Sequence, residues 1–137
     1  MKQLFPVVLL LFTSVLFAQE HTLTINVRGA SSDEGKLLYS IFSNEDGFPK
    51  DVEKAIDKGF ISLVKGEALL SLELPSGTYA IMVFHDEDDN NEMKTNWLGM
   101  PKEGVGNSNN HKGFPSYKKS VFKLSEDKTV IINLLYM

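Results

Sequence analysis

From residue 22 onward the chain alternates. Thr22-Leu23-Thr24-Ile25-Asn26-Val27-Arg28 places apolar groups at every second position, the period of a half-buried strand. Gly29 to Gly35 is a cluster of turn residues, and Lys36 to Ser43 (KLLYSIFS) is then apolar on both faces, the pattern of a central strand. Asn44-Glu45-Asp46-Gly47 ends it. Phe48, Val52 and Ile56 follow at a spacing of four, which predicts two helical turns over Lys50 to Lys58 with Gly59 as the C-terminal cap. Phe60 to Val64 and Ala68 to Leu74 predict paired strands around Lys65-Gly66-Glu67, and Pro75-Ser76-Gly77 fits a type I turn. Thr78 to His85 (TYAIMVFH) is again apolar on both faces. After a long polar stretch, Ser120 to Leu124 and Thr129 to Tyr136 predict two last strands joined by Ser125 to Lys128.

Seven short strands and at most one short helix, with turns at hairpin spacing, predict an all-β fold: a seven-stranded antiparallel β-sandwich, immunoglobulin-like or transthyretin-like. One long ordered loop separates the fifth and sixth strands. With no cysteine and no tryptophan in the early strands, the chain does not match a true antibody-type domain. No internal repeat or linker divides it.

The first residues change the picture. Lys2, an apolar run from Leu4 to Phe17 and then Ala18-Gln19 read as a signal peptide, residues 1–18, cleaved to leave one domain at 19–137. The run is shorter than the roughly 20 residues that cross a bilayer as a helix. Leu16 is a departure, since a small residue is usual three before the cut. Without cysteine a lipid tether is excluded, and so are disulfides in an exported chain. Export to the periplasm or beyond is therefore expected, with stability resting on the core and any bound metal. The net charge is −4, one unit more negative once Lys2 is removed, with no basic stripe. That argues against nucleic acid and anionic membrane as partners.

The stretch most able to carry chemistry is His85 to Asn96, HDEDDNNEMKTN. Asp86, Asp88 and Asn90 stand at alternate positions, the spacing of the first three ligands in a calcium loop. Ca²⁺ takes six to eight hard oxygen ligands, which a tight turn can gather around one point. The Glu92 carbonyl supplies a fourth in such a loop, and Asn96 or Glu103 closes the shell. A structural Ca²⁺ is thus the cofactor to test. The sixth position is Asn91 rather than glycine, the ninth is Lys94 and the twelfth is Trp97, and no helices flank the loop, so it is no EF-hand. The plainer alternative is an Asp/Asn-rich turn held by its own side-chain-to-backbone bonds.

Other constellations are weaker. His21, His85 and His111 lack close ligand spacing, and carboxylate and amide oxygens suit calcium better than zinc or copper. His85 reads most simply as orienting the backbone of the loop that follows. Ser108 with His111 or His85 lacks the G-x-S-x-G context of a nucleophile, so Ser108 and Asn109 read as loop stitching. Asp86, Asp88 and Glu103 lie in one loop rather than across a cleft, unlike the carboxylate pair of a glycosidase. Trp97 reads as an anchor pinning the loop with Leu98 and Met100, or as a stacking platform for a sugar ring. Lys112, Lys118 and Lys119 read as a solvated rim. The expected protein is non-enzymatic, with a protein or glycan as partner; a metal-free adhesion module and a small hydrolase are the alternatives.

The stretch LPSGTYAIMVFHDEDDNNEMKTNWLGMPKEGVGNSNN, Leu74 to Asn110, resembles a family of secreted bacterial proteins named domain of unknown function 2141. The shared pieces are a Leu-Pro-Gly turn, a strand ending in His-Asp, an Asp/Asn-rich loop, Leu98-Gly99-Met100-Pro101-Lys102-Glu103, and Gly106-Asn107-Ser108-Asn109-Asn110. KLLYSIFS and a terminal strand ending in Tyr136 also fit. The resemblance implies an exported β-sandwich with no established enzymatic activity. Asn91 and Lys94 stand where the family usually has glycine and aspartate, which weakens the cation reading for this member.

Overall fold

A computed structural model of the chain describes residues 19–92 and 103–137. The strands are β1 (Glu20–Arg28), β2 (Lys36–Phe42), β3 (Asp57–Ile61), β4 (Ala68–Pro75), β5 (Gly77–Asp86), β6 (Val105–Asn107), β7 (Val121–Leu124) and β8 (Lys128–Asn133), with a single helical turn, α1 (Tyr117–Ser120), before β7. They form two sheets, one ordered β4-β1-β8 and the other β3-β2-β5-β6, with β7 also pairing to β5. The all-β, sandwich-like architecture is the one expected. The described residues hold eight strands; the addition is β6, three residues within the long loop. No helix among them is long and apolar enough to cross a membrane.

The alternation in β1 does what its period dictates: Leu23, Ile25 and Val27 are fully buried between the sheets. Leu37 and Ile41 of β2, Ile81 and Val83 of β5, Leu124 of β7 and Ile132 of β8 complete that layer. β5 is apolar on both faces because it has neighbours on both edges and cover on both sides. β2 runs along one edge, while β6 and β7 share the other end to end. On the outer face, Phe42 is fully buried under Phe48, whose ring meets it edge-on at 5.2 Å and meets Tyr117 at 6.0 Å. Burial pushes the Tyr79 phenol above its ordinary pKa, and its hydroxyl donates to the Pro75 carbonyl at 2.6 Å.

Four expectations are corrected. Not every pair is antiparallel: β1 and β8 run parallel, Leu23 beside Lys128 through Arg28 beside Asn133. The predicted helix over Lys50 to Lys58 shrinks to a 3₁₀ turn, Val52–Lys54, whose first residue follows the capping Asp51. Val52 and Ile56 stay exposed, so their spacing buries no face and nothing holds a longer helix together. Gly59 is therefore no cap. It lies in β3 opposite Tyr39, whose ring atoms stand 3.1 Å from where a Cβ would sit.

The other two corrections concern pairing. The turn at Lys65-Gly66 forms, with φ of 53° and 77° and reciprocal hydrogen bonds between Val64 and Glu67. Yet the predicted strand pair does not extend from it, because β3 pairs with β2 and β4 with β1. The short link between β7 and β8 likewise carries the chain from one sheet to the other. Turn residues specify a reversal of direction; which strand lies alongside is decided by burial of both inner faces.

Candidate functional site

The described parts of the long loop are organised by what happens at the end of β5. The β5–β6 ladder pairs Met82 with Asn107, Val83 with Gly106 and Phe84 with Val105. It continues one step further, since the His85 amide donates to the Gly104 carbonyl at 2.7 Å. The next step of that register sets Asp86 opposite Glu103. On its other side Asp86 is paired with Lys36 of β2. Two glycines allow this approach. A Cβ on Gly35, at φ +69°, would stand 1.9 Å from the Asp86 carbonyl oxygen, and one on Gly104 would stand 2.4 Å from the Tyr136 ring.

The result is a row, Lys36–Asp86–Glu103, with Asp86 fully buried and Glu103 nearly so. Carboxylate oxygens of Asp86, Asp88 and Glu103 all lie within 4.8 Å of one another. Like charges directly opposed across strands repel, and burial strengthens the repulsion. Lys36 directs its ammonium to Asp89 at 2.8 Å, with the Phe60 ring 5.4 Å beneath it.

The turn itself is held by its own side chains. Asp86 accepts from the Asn90 amide (3.2 Å) and the Asn91 amide (2.8 Å). Asn90 accepts from the Glu92 amide at 2.9 Å through its side-chain oxygen and donates its Nδ2 to Asp88 at 3.3 Å. Asp89 and Asn91 take positive φ, 58° and 62°, so asparagine supplies at 91 the left-handed residue that glycine supplies in a calcium loop. Of the expected ligands, Asp86, Asp88 and Glu103 are brought together. Asn90 is turned onto the backbone and its neighbour, Glu92 is exposed, and Asn96 lies outside the described residues, as does Trp97.

His85 points the other way, into the end of the sandwich, and is fully buried. Its Nε2 stands 2.7 Å from the Glu34 carbonyl, which can only accept, so Nε2 carries the proton. In the neutral ring Nδ1 then accepts from the Tyr136 hydroxyl at 2.8 Å, and that oxygen accepts from the Ser31 amide at 3.0 Å. Glu87 sits 3.5 Å from Nδ1 and takes a hydrogen bond from the Ser31 hydroxyl. The orienting role expected for His85 is thus played toward Glu34 and Tyr136 rather than toward the loop that follows. His21 lies far along the chain, buried, with its Nε2 at 2.7 Å from Ser76 Oγ.

Ser108 is buried between strands. Its Oγ accepts from the Ile81 amide at 3.0 Å and donates to the Ser120 carbonyl. The hydroxyl is thus tied to backbone groups of two different elements. Asn109 donates to the Lys119 and Val121 carbonyls at 3.0 and 2.8 Å, and the His111 backbone is clasped by the Asn107 side chain at both its N–H and its C=O. Asn110 acts as a peptide mimic on the edge of β8: its Nδ2 donates to the Ile131 carbonyl and its Oδ1 accepts from the Asn133 amide. Loop stitching is what these residues do.

No local pattern in the sequence marks Lys36, Gly35 or Tyr136 as a site residue. Each is distant along the chain: the β2–β5 pairing brings Gly35 and Lys36 to the turn, and the Val105–Leu135 bridge sets Tyr136 beside His85 and Gly104.

A family model covers residues 25–132. The chain belongs to DUF2141. That family is described as an uncharacterised protein conserved in bacteria. No curated protein and no solved structure matches the chain. The DUF2141 match therefore ends within β8, and takes in the acidic row and the Asn107–Asn110 stitching together.

Proposed function

We propose that this DUF2141 protein is an exported, non-enzymatic β-sandwich binding module whose acidic turn holds one hard divalent cation of the Ca²⁺ type. The bound ion orders the loop, which then presents a surface to a protein or glycan partner. The observation that carries the reading is the grouping of Asp86, Asp88 and Glu103 oxygens within 4.8 Å. Two oxygens on opposite sides of a Ca²⁺ ion, each bonded at about 2.3–2.6 Å, are separated by about that distance. An ion there turns the opposed pair Asp86–Glu103 from a repulsion into shared ligation. Backbone carbonyls and water complete the coordination shell.

The test is a pair of unfolding curves, one with millimolar Ca²⁺ and one with chelator. At about 100 times its dissociation constant a ligand adds about 2.7 kcal/mol. Coincident curves, together with no heat of binding in calorimetry, overturn the reading.

A second reading has its own support. Asp86 already accepts two backbone amides, so the turn closes without an ion. In that case the protein is a metal-free structural or adhesion module. Asp86→Ala then lowers stability by the same amount with and without Ca²⁺, whereas under the first reading it abolishes the ion-dependent increment.

A further inference from the structure

The molecule protects its sheet edges unevenly. The edge of β8 away from β1 is occupied by the Asn110 side-chain amide at Ile131 and Asn133, and two residues further on by reciprocal Val105–Leu135 backbone bonds. β3, at the edge of the other sheet, is five residues long and includes Asp57, Lys58 and Gly59. Short length and charge are the usual defences of an edge strand. β4 has neither. It runs eight residues, ALLSLELP, contains Glu73 as its only charge, and among the described residues pairs with β1 alone. The Val64–Glu67 bonds cover only the approach to it.

The side chains of β4 point the same way. Ala68 and Leu74 at its ends are buried, yet Leu70 and Leu72 between them, on the same core-facing side, are only half-buried. On the outer side Leu69 is 64% exposed, and it lines one surface depression together with the exposed Val64.

We propose that β4 pairs antiparallel with β4 of a second copy of this chain, about a two-fold axis passing through Ser71. A strand meeting itself makes an isologous contact, so every pairing occurs twice. With Ser71 opposite Ser71 of the other copy, Leu70 lies against Leu72 and Leu72 against Leu70, and the half-buried leucines complete one another. Glu73 lies opposite Leu69, four positions from its own counterpart, so like charges are kept apart. The two three-stranded sheets become one continuous six-stranded sheet. A partner strand of unrelated sequence would fill the hydrogen bonds but would not in general set leucine against leucine on the core-facing side while keeping Glu73 away from a like charge.

The experiment exploits the absence of cysteine. Directly opposed antiparallel residues have Cα atoms about 4.5–5.5 Å apart, inside the range of about 4.4–6.8 Å that a disulfide spans. Ser71→Cys should therefore cross-link to a covalent dimer under mild oxidation. Leu69→Cys alone should not, while a mixture of Leu69→Cys and Glu73→Cys should give the mixed dimer. Sedimentation of the unaltered protein, from micromolar to near-millimolar concentration, should show a monomer–dimer equilibrium. Ser71→Glu, which sets two carboxylates face to face at an exposed position, should weaken it about a hundredfold, with the monomer's circular dichroism unchanged. Ser71→Thr should leave it intact. A protein that stays monomeric over that range, or a dimer indifferent to Ser71→Glu, or cross-linking at Leu69→Cys as fast as at Ser71→Cys, overturns the proposal.

Discussion

Two polar segments of one connection, both rich in asparagine and acid or hydroxyl groups, behave in opposite ways. Asn107 to Asn110 is stitched shut: amides and a hydroxyl both donate and accept, and each is matched to a backbone group of α1, β5, β7 or β8 or of the loop itself. Asp86 to Glu92, with Glu103 brought alongside, is a gathering of carboxylates, which when ionised only accept. The neutral network supplies its own donors and acceptors, whereas the carboxylates depend on backbone amides of the turn for their donors, as Asp86 does at Asn90 and Asn91. Donor–acceptor balance, more than polarity, separates a structural loop from a candidate binding loop.

The sharpest way to break the stitched half is Ser108→Ala. It strips partners from the Ile81 amide and the Ser120 carbonyl, both tied to a buried hydroxyl. Each unsatisfied group costs about 1–3 kcal/mol, so denaturant unfolding should show a loss of about 2–4 kcal/mol, equal with Ca²⁺ and with chelator. A loss that Ca²⁺ repairs would mean the two halves are not separate. In the acidic half, Asp88→Asn removes an exposed charge while keeping a hydrogen-bonding group of the same size. On the proposed Ca²⁺ reading, the ion-dependent gain of about 2.7 kcal/mol at a hundredfold excess over the dissociation constant should largely vanish. Stability in chelator should stay within about 0.5 kcal/mol. An undiminished calcium response in Asp88→Asn would remove that carboxylate from the site.

The sequence made one part of this contrast readable and hid another. Leu23, Ile25 and Val27 announced β1, and the two-faced apolar run announced β5, because burial imposes its period locally. Asp86 and Asp88 were legible for the same reason: alternate positions in one turn. Glu103 was reachable only as a distant acid, since β6 is Val-Gly-Asn, too short for any period to show. The row Lys36–Asp86–Glu103 exists through register alone, and no local pattern encodes a register. β3 was hidden differently. Val52 and Ile56 mimic a helical stripe, and nothing in their spacing tells that they remain at the surface. The parallel pairing of β8 with β1 depends on residues some hundred positions apart.

His85 tests where the border between the halves lies. It precedes Asp86 directly, yet its partners are a carbonyl and a phenol. Tyr136→Phe should leave Nδ1 of a buried ring and the Ser31 amide without the hydroxyl they share. A loss of about 1–2 kcal/mol is expected, with the calcium response intact. If the response falls as well, the C-terminal tyrosine positions the acidic turn through His85 and Gly104, and the border is not where the hydrogen bonds place it.

The smallest effect transplants the chemistry of one half into the other. Asn110→Asp keeps the shape and the tolerance of positive φ (54° at this residue) but exchanges the amide donor for a second acceptor. The Asn133 amide is still accepted, while a carboxylate oxygen now faces the Ile131 carbonyl. At neutral pH the protein should lose about 1 kcal/mol. Protonation restores a donor, so the folded state favours the neutral acid and raises its pKa above the unfolded value of about 3.9. The sign follows: relative to the unaltered protein, the deficit should be present at pH 7 and should shrink as pH falls through that raised value, closing below about pH 4. A deficit that is flat from pH 7 to pH 3 would mean that the edge of β8 is held by shape rather than by the amide's paired donor and acceptor.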